Sequence, residues 1–197
     1  MAARVVLIGG SSHTGKSTLA RAIAERVGGR ALSTDSLARH PGRPWRQPGE
    51  AVPDHVARHY GTLTTEALLA SVLAHYDRMW PMVRELIRFH ADDPAQDLLV
   101  LEGSALWPEA VAELDHPAVR AMWLTAEPAL ITRRMHAESG YEARDAEGRR
   151  LIDAFLARTL AYDAAMMEAV RRLRLPFVEA GEGETTEGLA ARCLELF

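Results

Sequence analysis

The sequence predicts an α/β fold built on a parallel sheet, and three observations near the start of the chain carry that reading. Val5-Val6-Leu7-Ile8 is a short continuous apolar run of the kind that forms a strand buried on both faces. It runs straight into Gly10-x-x-x-x-Gly15-Lys16-Ser17, after which Leu19, Ala20, Ile23 and Val27 recur at helical spacing. Gly28-Gly29 then stops the helix, and Ala31-Leu32-Ser33-Thr34 reads as a second short strand. Two strands joined through one helix form a parallel βαβ unit.

Strand, glycine loop and helix in that order are the context that identifies a phosphate-binding loop. Its glycines let successive backbone N–H groups converge, and the helix N-terminus adds its partial positive charge at the same point. Residues Gly10, Ser11, Ser12, His13, Thr14, Gly15, Lys16, Ser17 and Thr18 are therefore the expected nucleotide-binding set. In such a loop the lysine, here Lys16, reaches the β- and γ-phosphates, and the hydroxyl of Ser17 serves Mg²⁺. Lys16 is the only lysine among 23 basic residues, so a chain that otherwise uses arginine keeps its one compact ammonium here.

The 197 residues suit one domain with a substantial core, and 48% hydrophobic with 25% charged residues is ordinary for a water-soluble fold. A net charge of −4 weighs against a nucleic-acid partner. The single cysteine, Cys193, excludes an internal disulfide and a cysteine-rich zinc site. No apolar run is long enough to span a membrane, and the first one is too short for a signal peptide, so the cytoplasm is the expected location.

Further along, residues 40–53 are rich in proline and glycine and form an irregular excursion, a candidate substrate-facing loop. Residues 54–90 are helical in pattern. Thr64-Thr65-Glu66 starts a helix with Leu68, Leu69, Val72, Leu73 and Tyr76 on its stripe, and Pro81 is expected to begin another with Val83, Leu86 and Ile87. Leu98 to Glu102 is the third strand, ending in an acid before Gly103, and 108–114 is a short helix. Ala118 to Leu124 is the fourth strand and Glu127 to His136 a helix. Residues 138–150 are polar with two glycines, which suits a mobile lid. A long helix is expected over about 150–173, the fifth strand at Leu175 to Glu179 and a last helix at Thr186 to Leu196. Without repeats or linkers, the chain reads as a single domain over 1–197, with a helical acceptor-binding insertion at 36–95 and a lid at 137–150.

This arrangement resembles the nucleoside-monophosphate-kinase-like group of P-loop phosphotransferases, which includes shikimate, gluconate and adenylylsulfate kinases, chloramphenicol phosphotransferase and the zeta toxins. The resemblance covers the whole chain in element order, although its only highly specific motif is the phosphate loop. It implies a three-layer P-loop NTPase fold, a five-stranded parallel sheet of order 2-3-1-4-5 with helices on both faces. It also implies ATP and Mg²⁺, a small-molecule acceptor, and adenine contacts from the lid helix and the loop near Ala180 to Gly183.

Three groups of residues beyond the loop are candidates for chemistry. Asp35 closes the second strand, where a carboxylate can orient an acceptor hydroxyl and take its proton. The competing role is a helix cap, shared with Ser36. Glu102 ends an otherwise apolar strand, where a buried charge demands a partner or a metal. It is a candidate for holding Mg²⁺, for contacting the acceptor, or for acting as base in place of Asp35. Gly103 beside it allows close approach to the phosphates. Arg39 and Arg158 are candidates for the acceptor. Among the arginines near the lid (Arg133, Arg134, Arg144, Arg149 and Arg150), Arg134 and Arg144 lead as stabilisers of transferring charge. His55 and His59 have the i, i+4 spacing of zinc ligands but lack the glutamate and third ligand such sites need. Trp45, Trp80 and Trp107 are candidates for stacking on a substrate ring or for core.

The leading reading is a kinase that moves the ATP γ-phosphate to a hydroxyl. A nucleotide-dependent switch or ATPase acting on a protein partner is the second class. The guanine-specific Asn-Lys-x-Asp motif is impossible in a chain with no asparagine and one committed lysine. A kinase of a nucleotide or nucleotide sugar is the third.

Overall fold

The computed structural model describes residues 3–38, 40–47 and 50–196. Its five strands are β1 (Val5–Gly10), β2 (Arg30–Ser33), β3 (Leu99–Glu102), β4 (Val119–Ala126) and β5 (Phe177–Ala180). They lie in the order β2-β3-β1-β4-β5, and every neighbouring pair is parallel. The expected α/β fold and strand order are therefore the observed ones. Seven helices surround the sheet among the described residues: α1 (Lys16–Val27), α2 (Asp54–Thr62), α3 (Thr65–Asp92), α4 (Pro108–Ala112), α5 (Pro128–Ser139), α6 (Ala146–Arg172) and α7 (Thr186–Leu194).

The period of two along β1 divides the core. Val5 and Leu7 face a cluster built with Val72, Val83 and Ile87 of α3 and Tyr162, Met166 and Val170 of α6. Val6 and Ile8 face the opposite side, against Leu19 and Ile23 of α1, Ile131 of α5 and Leu189 of α7. A strand covered on both sides gains no alternating polar face, which is why its sequence is a continuous apolar run. A third cluster ties the 40–53 excursion and α2 to α5 and α6 through Trp45, Val56, Tyr60, Met135, Ile152 and Phe155.

Two expectations about helices are corrected. Pro81 does not begin a new helix: α3 runs unbroken from Thr65 to Asp92. Val72, Met79, Val83 and Ile87 keep one buried stripe in phase across the proline, while Pro81 itself is exposed. Packing of that stripe outweighs the one hydrogen bond the imide removes. The polar 138–150 segment also holds more regular structure than its composition suggests. Helix α5 extends to Ser139, a 3-10 turn covers Tyr141–Ala143, and α6 begins at Ala146. The Asp145 carboxylate caps α6 by accepting from the Gly148 N–H at 2.7 Å, an N-cap within a stretch that otherwise reads as loop.

Register fixes the level of the functional edge. Ile8 of β1 and Ser33 of β2 both pair with Glu102 of β3, so the carboxyl ends of three strands arrive together. Ligands of open parallel sheets bind in the crevice beyond such ends.

Candidate phosphate and acceptor site

The loop between β1 and α1 is shaped by three residues in the left-handed region: Gly10 (φ 148°), His13 (φ 65°) and Gly15 (φ 103°). At Gly10 a Cβ would fall 2.4 Å from the Leu124 carbonyl oxygen, so the neighbouring strand leaves no room for a side chain. Ser11 is the hub of the loop. Its carbonyl accepts from the Lys16 ammonium at 2.5 Å and from the Thr14 hydroxyl at 3.0 Å. Its own hydroxyl donates to Asp163 of α6 at 2.8 Å, and the second oxygen of Asp163 accepts from Thr125 at the end of β4, also at 2.8 Å. From the other side, Arg134 of α5 donates to the carbonyls of His13 and Thr14 at 3.1 and 3.0 Å.

Lys16 is buried, and burial lowers its pKa, an effect opposed by Glu102, Asp35 and Asp163. Burial likewise raises the Asp163 carboxyl, against the two hydroxyls that favour its charge. The Ser17 hydroxyl donates to Glu102 at 2.9 Å. Gly103 has φ 154°, and a Cβ there would meet the Thr34 hydroxyl oxygen at 1.7 Å, so β3 leaves the sheet through a point only glycine fits. Ser104 then donates to the Gly10 carbonyl at 2.9 Å and fastens this exit to the phosphate loop.

These groups open onto a cavity of about 220 Å³. Ser12, His13, Gly15, Lys16, Ser17 and Thr18 line its phosphate side. Asp35, His40, Tyr76, Glu102, Gly103, Phe155 and Arg158 line the cavity as well, Asp35 near enough to raise the pKa of Lys16 and Arg158 near enough to lower that of His13. The 3-10 turn Thr34–Ser36 leaves Asp35 exposed within this crevice, and the Ser33 hydroxyl, not Asp35, caps the turn. Arg158 is 7% exposed and stacks on Phe155 at 4.4 Å.

Two histidines are held neutral at pH 7. His13 is lowered to about 4, by burial first and then by Arg43, Lys16, Arg134 and Arg158. Its Nε2 lies 3.1 Å from Glu138 without hydrogen-bond alignment, and Glu138 is also paired with Arg43. The neutral imidazole makes the second contact the salt bridge of the two. His40 is also lowered to about 4, by burial and then by His59 and His75, whose rings each lie 5.0 Å away.

The structure thus gathers Lys16, Ser17, Asp35, Glu102, Gly103 and Arg158 around one cavity, while Gly10, Ser11 and Thr14 form its backing. Arg134 grips the phosphate loop. Arg144 lies elsewhere: it donates to the carbonyls of Ser139 and Arg46 at 2.8 and 2.9 Å and lines a separate hollow with Trp45 and Glu50. Arg39 lies outside the described residues. Arg133 pairs with Glu182, Arg149 bonds the Tyr141 and Glu142 carbonyls, and Arg150 pairs with Glu147. Trp80 and Trp107 pack against the sheet, whereas Trp45 packs beside His13 and Phe155. His55 is exposed. Residues that sequence reasoning passed over are Asp163, Thr125 and Ser104. The available hint for Asp163 is an acid beside a buried helical stripe, next to Tyr162.

No protein-family model matches the chain. A 36-residue segment is 56% identical to uncharacterized proteins of Mycobacterium tuberculosis and Mycobacterium bovis. It covers 18% of this chain and 7% of theirs, so the match spans far less than two thirds of those relatives. Among solved structures, a sugar kinase from Janibacter sp. HTCC2649 superposes with a TM-score of 0.56 at 20% identity, covering 98% of this chain and 94% of its own. An uncharacterized protein from Eubacterium ventriosum gives 0.52 at 11% identity, over 97% and 96% of the two chains. Shikimate kinase from Acinetobacter baumannii, in complex with shikimate, gives 0.51 at 15% identity, over 98% and 92%. The fold is that of the nucleoside-monophosphate-kinase-like P-loop kinases.

Proposed function

We propose that the chain is an ATP- and Mg²⁺-dependent phosphotransferase that moves the γ-phosphoryl group to a hydroxyl of a small molecule. The observation that carries the reading is the meeting of Lys16, Ser17, Glu102 and Asp35 around one cavity. Residues 10–18 and Lys16 would hold the nucleotide phosphates. A serine hydroxyl and a carboxylate 2.9 Å apart form a hard oxygen pair of the kind Mg²⁺ prefers, so Ser17 and Glu102 would hold the metal, the latter directly or through water. When bound, the metal neutralises charge on the transferring phosphate oxygens.

The chain's own residues do the rest. Asp35 accepts the proton of the acceptor hydroxyl while that oxygen forms its bond to phosphorus and the bond to the leaving ADP oxygen breaks. Glu102 competes with Asp35 for the base role, but its carboxylate is already engaged by Ser17, which favours Asp35. Arg134 supports the loop that binds the phosphates, and Arg158 faces the acceptor. Arg144 serves as a charge stabiliser only if its bonds to Ser139 and Arg46 break on closure.

The test is γ-labelled ATP with the purified protein and a desalted metabolite extract, with Lys16→Ala as the blank. A labelled organic product absent from the blank supports the kinase reading and delivers the acceptor. Free phosphate alone, whatever the extract, overturns it in favour of a partner-driven ATPase or switch. A second titration compares Mg²⁺ requirements: Glu102→Gln should need more metal, and an unchanged curve would remove Glu102 from the metal set.

A further inference from the structure

We infer, on the basis of the kinase reading above, that Glu138 is a two-position latch beside the phosphate loop: it holds Arg43 in the empty chain and passes to the ring of His13 when a phosphate group in the cavity draws Arg43 away. Three segments meet here, and all three residues line the cavity: His13 of the phosphate loop, Arg43 of the 40–53 excursion and Glu138 on the last turn of α5. Arg43 is paired with one carboxylate oxygen of Glu138, and the other oxygen lies 3.1 Å from Nε2 of His13. The carboxylate therefore stands within hydrogen-bond reach of the imidazole, yet it is turned to the guanidinium and makes no hydrogen bond to the ring.

The two contacts differ in how firmly they hold. The Arg43 and Glu138 side chains are each about half exposed, at 49% and 43%, and an ion pair that water reaches is weak and readily exchanged. The imidazole is only 3% exposed, and neither of its nitrogens has a hydrogen-bond partner among the described residues. A buried polar group without a partner is costly, so the ring gains more from the carboxylate than the guanidinium does. His13 also occupies a left-handed conformation, φ 65°, that most side chains avoid. Trp45 and Phe155 pack beside its ring, and Arg134 holds its carbonyl at 3.1 Å, so α5 grips the backbone of the very residue whose ring Glu138 can reach. Strain and unpaired nitrogens at one ligand-facing residue point to a second state in which they are compensated. Burial and the charges of Arg43, Lys16, Arg134 and Arg158 keep the ring neutral, so one nitrogen acts as donor and can serve the carboxylate. Competition releases Glu138. Arg43 shares the cavity with Lys16 and lowers its pKa, so two cations confront one space. A phosphate arriving there offers the guanidinium a bidentate, charge-assisted partner. The exchange unfastens the excursion from α5 and fastens the phosphate loop to it.

The test follows the His13 ring by NMR in the full chain at pH 7, with ¹⁵N-labelled histidine and the signal assigned through His13→Asn. The ring nitrogens are read through their carbon-bound protons, which do not exchange with water. Arg43→Gln releases the carboxylate without any nucleotide and should move the His13 Nε2 signal downfield, as a new hydrogen bond to a carboxylate does. Arg43→Gln combined with Glu138→Gln controls for the lost arginine charge and should cancel most of that movement. Arg43 and Glu138 are both half-exposed, so neither change empties the core. In the parent, Mg²⁺ with a non-hydrolysable ATP analogue should produce a downfield movement larger than in Glu138→Gln. Arg43→Gln should also bind the analogue about tenfold more weakly, the scale of one lost charge-assisted contact. The inference is overturned if Arg43→Gln leaves the His13 signal in place, if the double variant keeps the whole movement, if parent and Glu138→Gln respond equally to the analogue, or if Arg43→Gln binds the analogue as the parent does. Failure of the analogue to bind the parent would sink the kinase reading separately. The nucleotide-free comparison of Arg43→Gln with the double variant would still decide the latch.

Discussion

The two ends of the cavity are built on opposite principles. At the phosphate end a hydrogen-bond network braces the loop, with the His13 ring outside it: Lys16 and Thr14 on the Ser11 carbonyl, Ser11 and Thr125 on Asp163, Ser17 on Glu102, and Arg134 on two loop carbonyls. At the α2–α3 end, Asp35 is exposed in the crevice, Arg158 is buried without an acid among the described residues, and His40 sits among two other imidazoles. A preorganised end binds what is common to all reactions of the class, the nucleotide phosphates. An end with charges left over binds what is particular to one reaction. Preorganisation lowers the reorganisation needed during transfer, whereas unpaired groups draw their compensation from the correct ligand.

The largest effect belongs to the phosphate end. Lys16→Ala should reduce transfer by about 10³-fold, the scale of one lost donor to developing charge, with circular dichroism unchanged. Turnover that survives the substitution would break the comparison, since the preorganised end would then not be the catalytic one. Acid titration probes both ends together. His13 and His40 are each lowered from 6.5 to about 4, so the folded state binds fewer protons than the unfolded one. Their stabilisation is complete above 6.5 and is lost as pH falls towards 4. For the deeply buried His13 this amounts to about 3 kcal/mol, and to less for the more accessible His40. Urea denaturation between pH 7.5 and 4.5 should show the decline. His13→Asn, which keeps a residue suited to positive φ, should flatten it more than His40→Asn.

Asp35→Asn sharpens the contrast from the other side. It should lower kcat by about 10²-fold, as loss of a positioned base does, while nucleotide affinity stays within twofold. A collapse of nucleotide binding would mean that the two ends are not separable. The smallest effect is expected at Asp163. Asp163→Asn deprives one of two hydroxyls of its acceptor and should loosen the phosphate loop by about 1–2 kcal/mol. Fluorescent-nucleotide titration should register this as weaker ATP-analogue binding. Ser11→Ala in the same background should then add little, because both changes remove one contact.

Legibility in the sequence followed the range of the interactions. Gly10, Gly15, Lys16 and Ser17 were readable because a phosphate loop is assembled from neighbours in the chain. Asp35 and Glu102 were readable because strand ends in a parallel sheet share one edge, and register brings Ser33 level with Glu102. Pro81 misled because propensity is local, whereas the stripe that overrides it is held by α6 and the sheet. The position of Arg144 was hidden for a related reason: nothing in the order of residues says that its guanidinium is taken up by the carbonyls of Ser139 and Arg46.

The sequence by itself determined the parallel α/β character and the residues of the phosphate loop, because apolar periodicity and a contiguous glycine loop are properties of neighbouring residues, while the strand order came only with the resemblance of the whole chain to a known kinase group. Only the tertiary structure decided how that loop is braced and which charges remain for a ligand. Asp163 meets Ser11 across 152 positions and Arg134 meets the loop across about 120. Arg158 stands out only once its surroundings are seen to contain no acid paired with it. Whether a buried charge is compensated depends on the whole fold, and no local pattern encodes it.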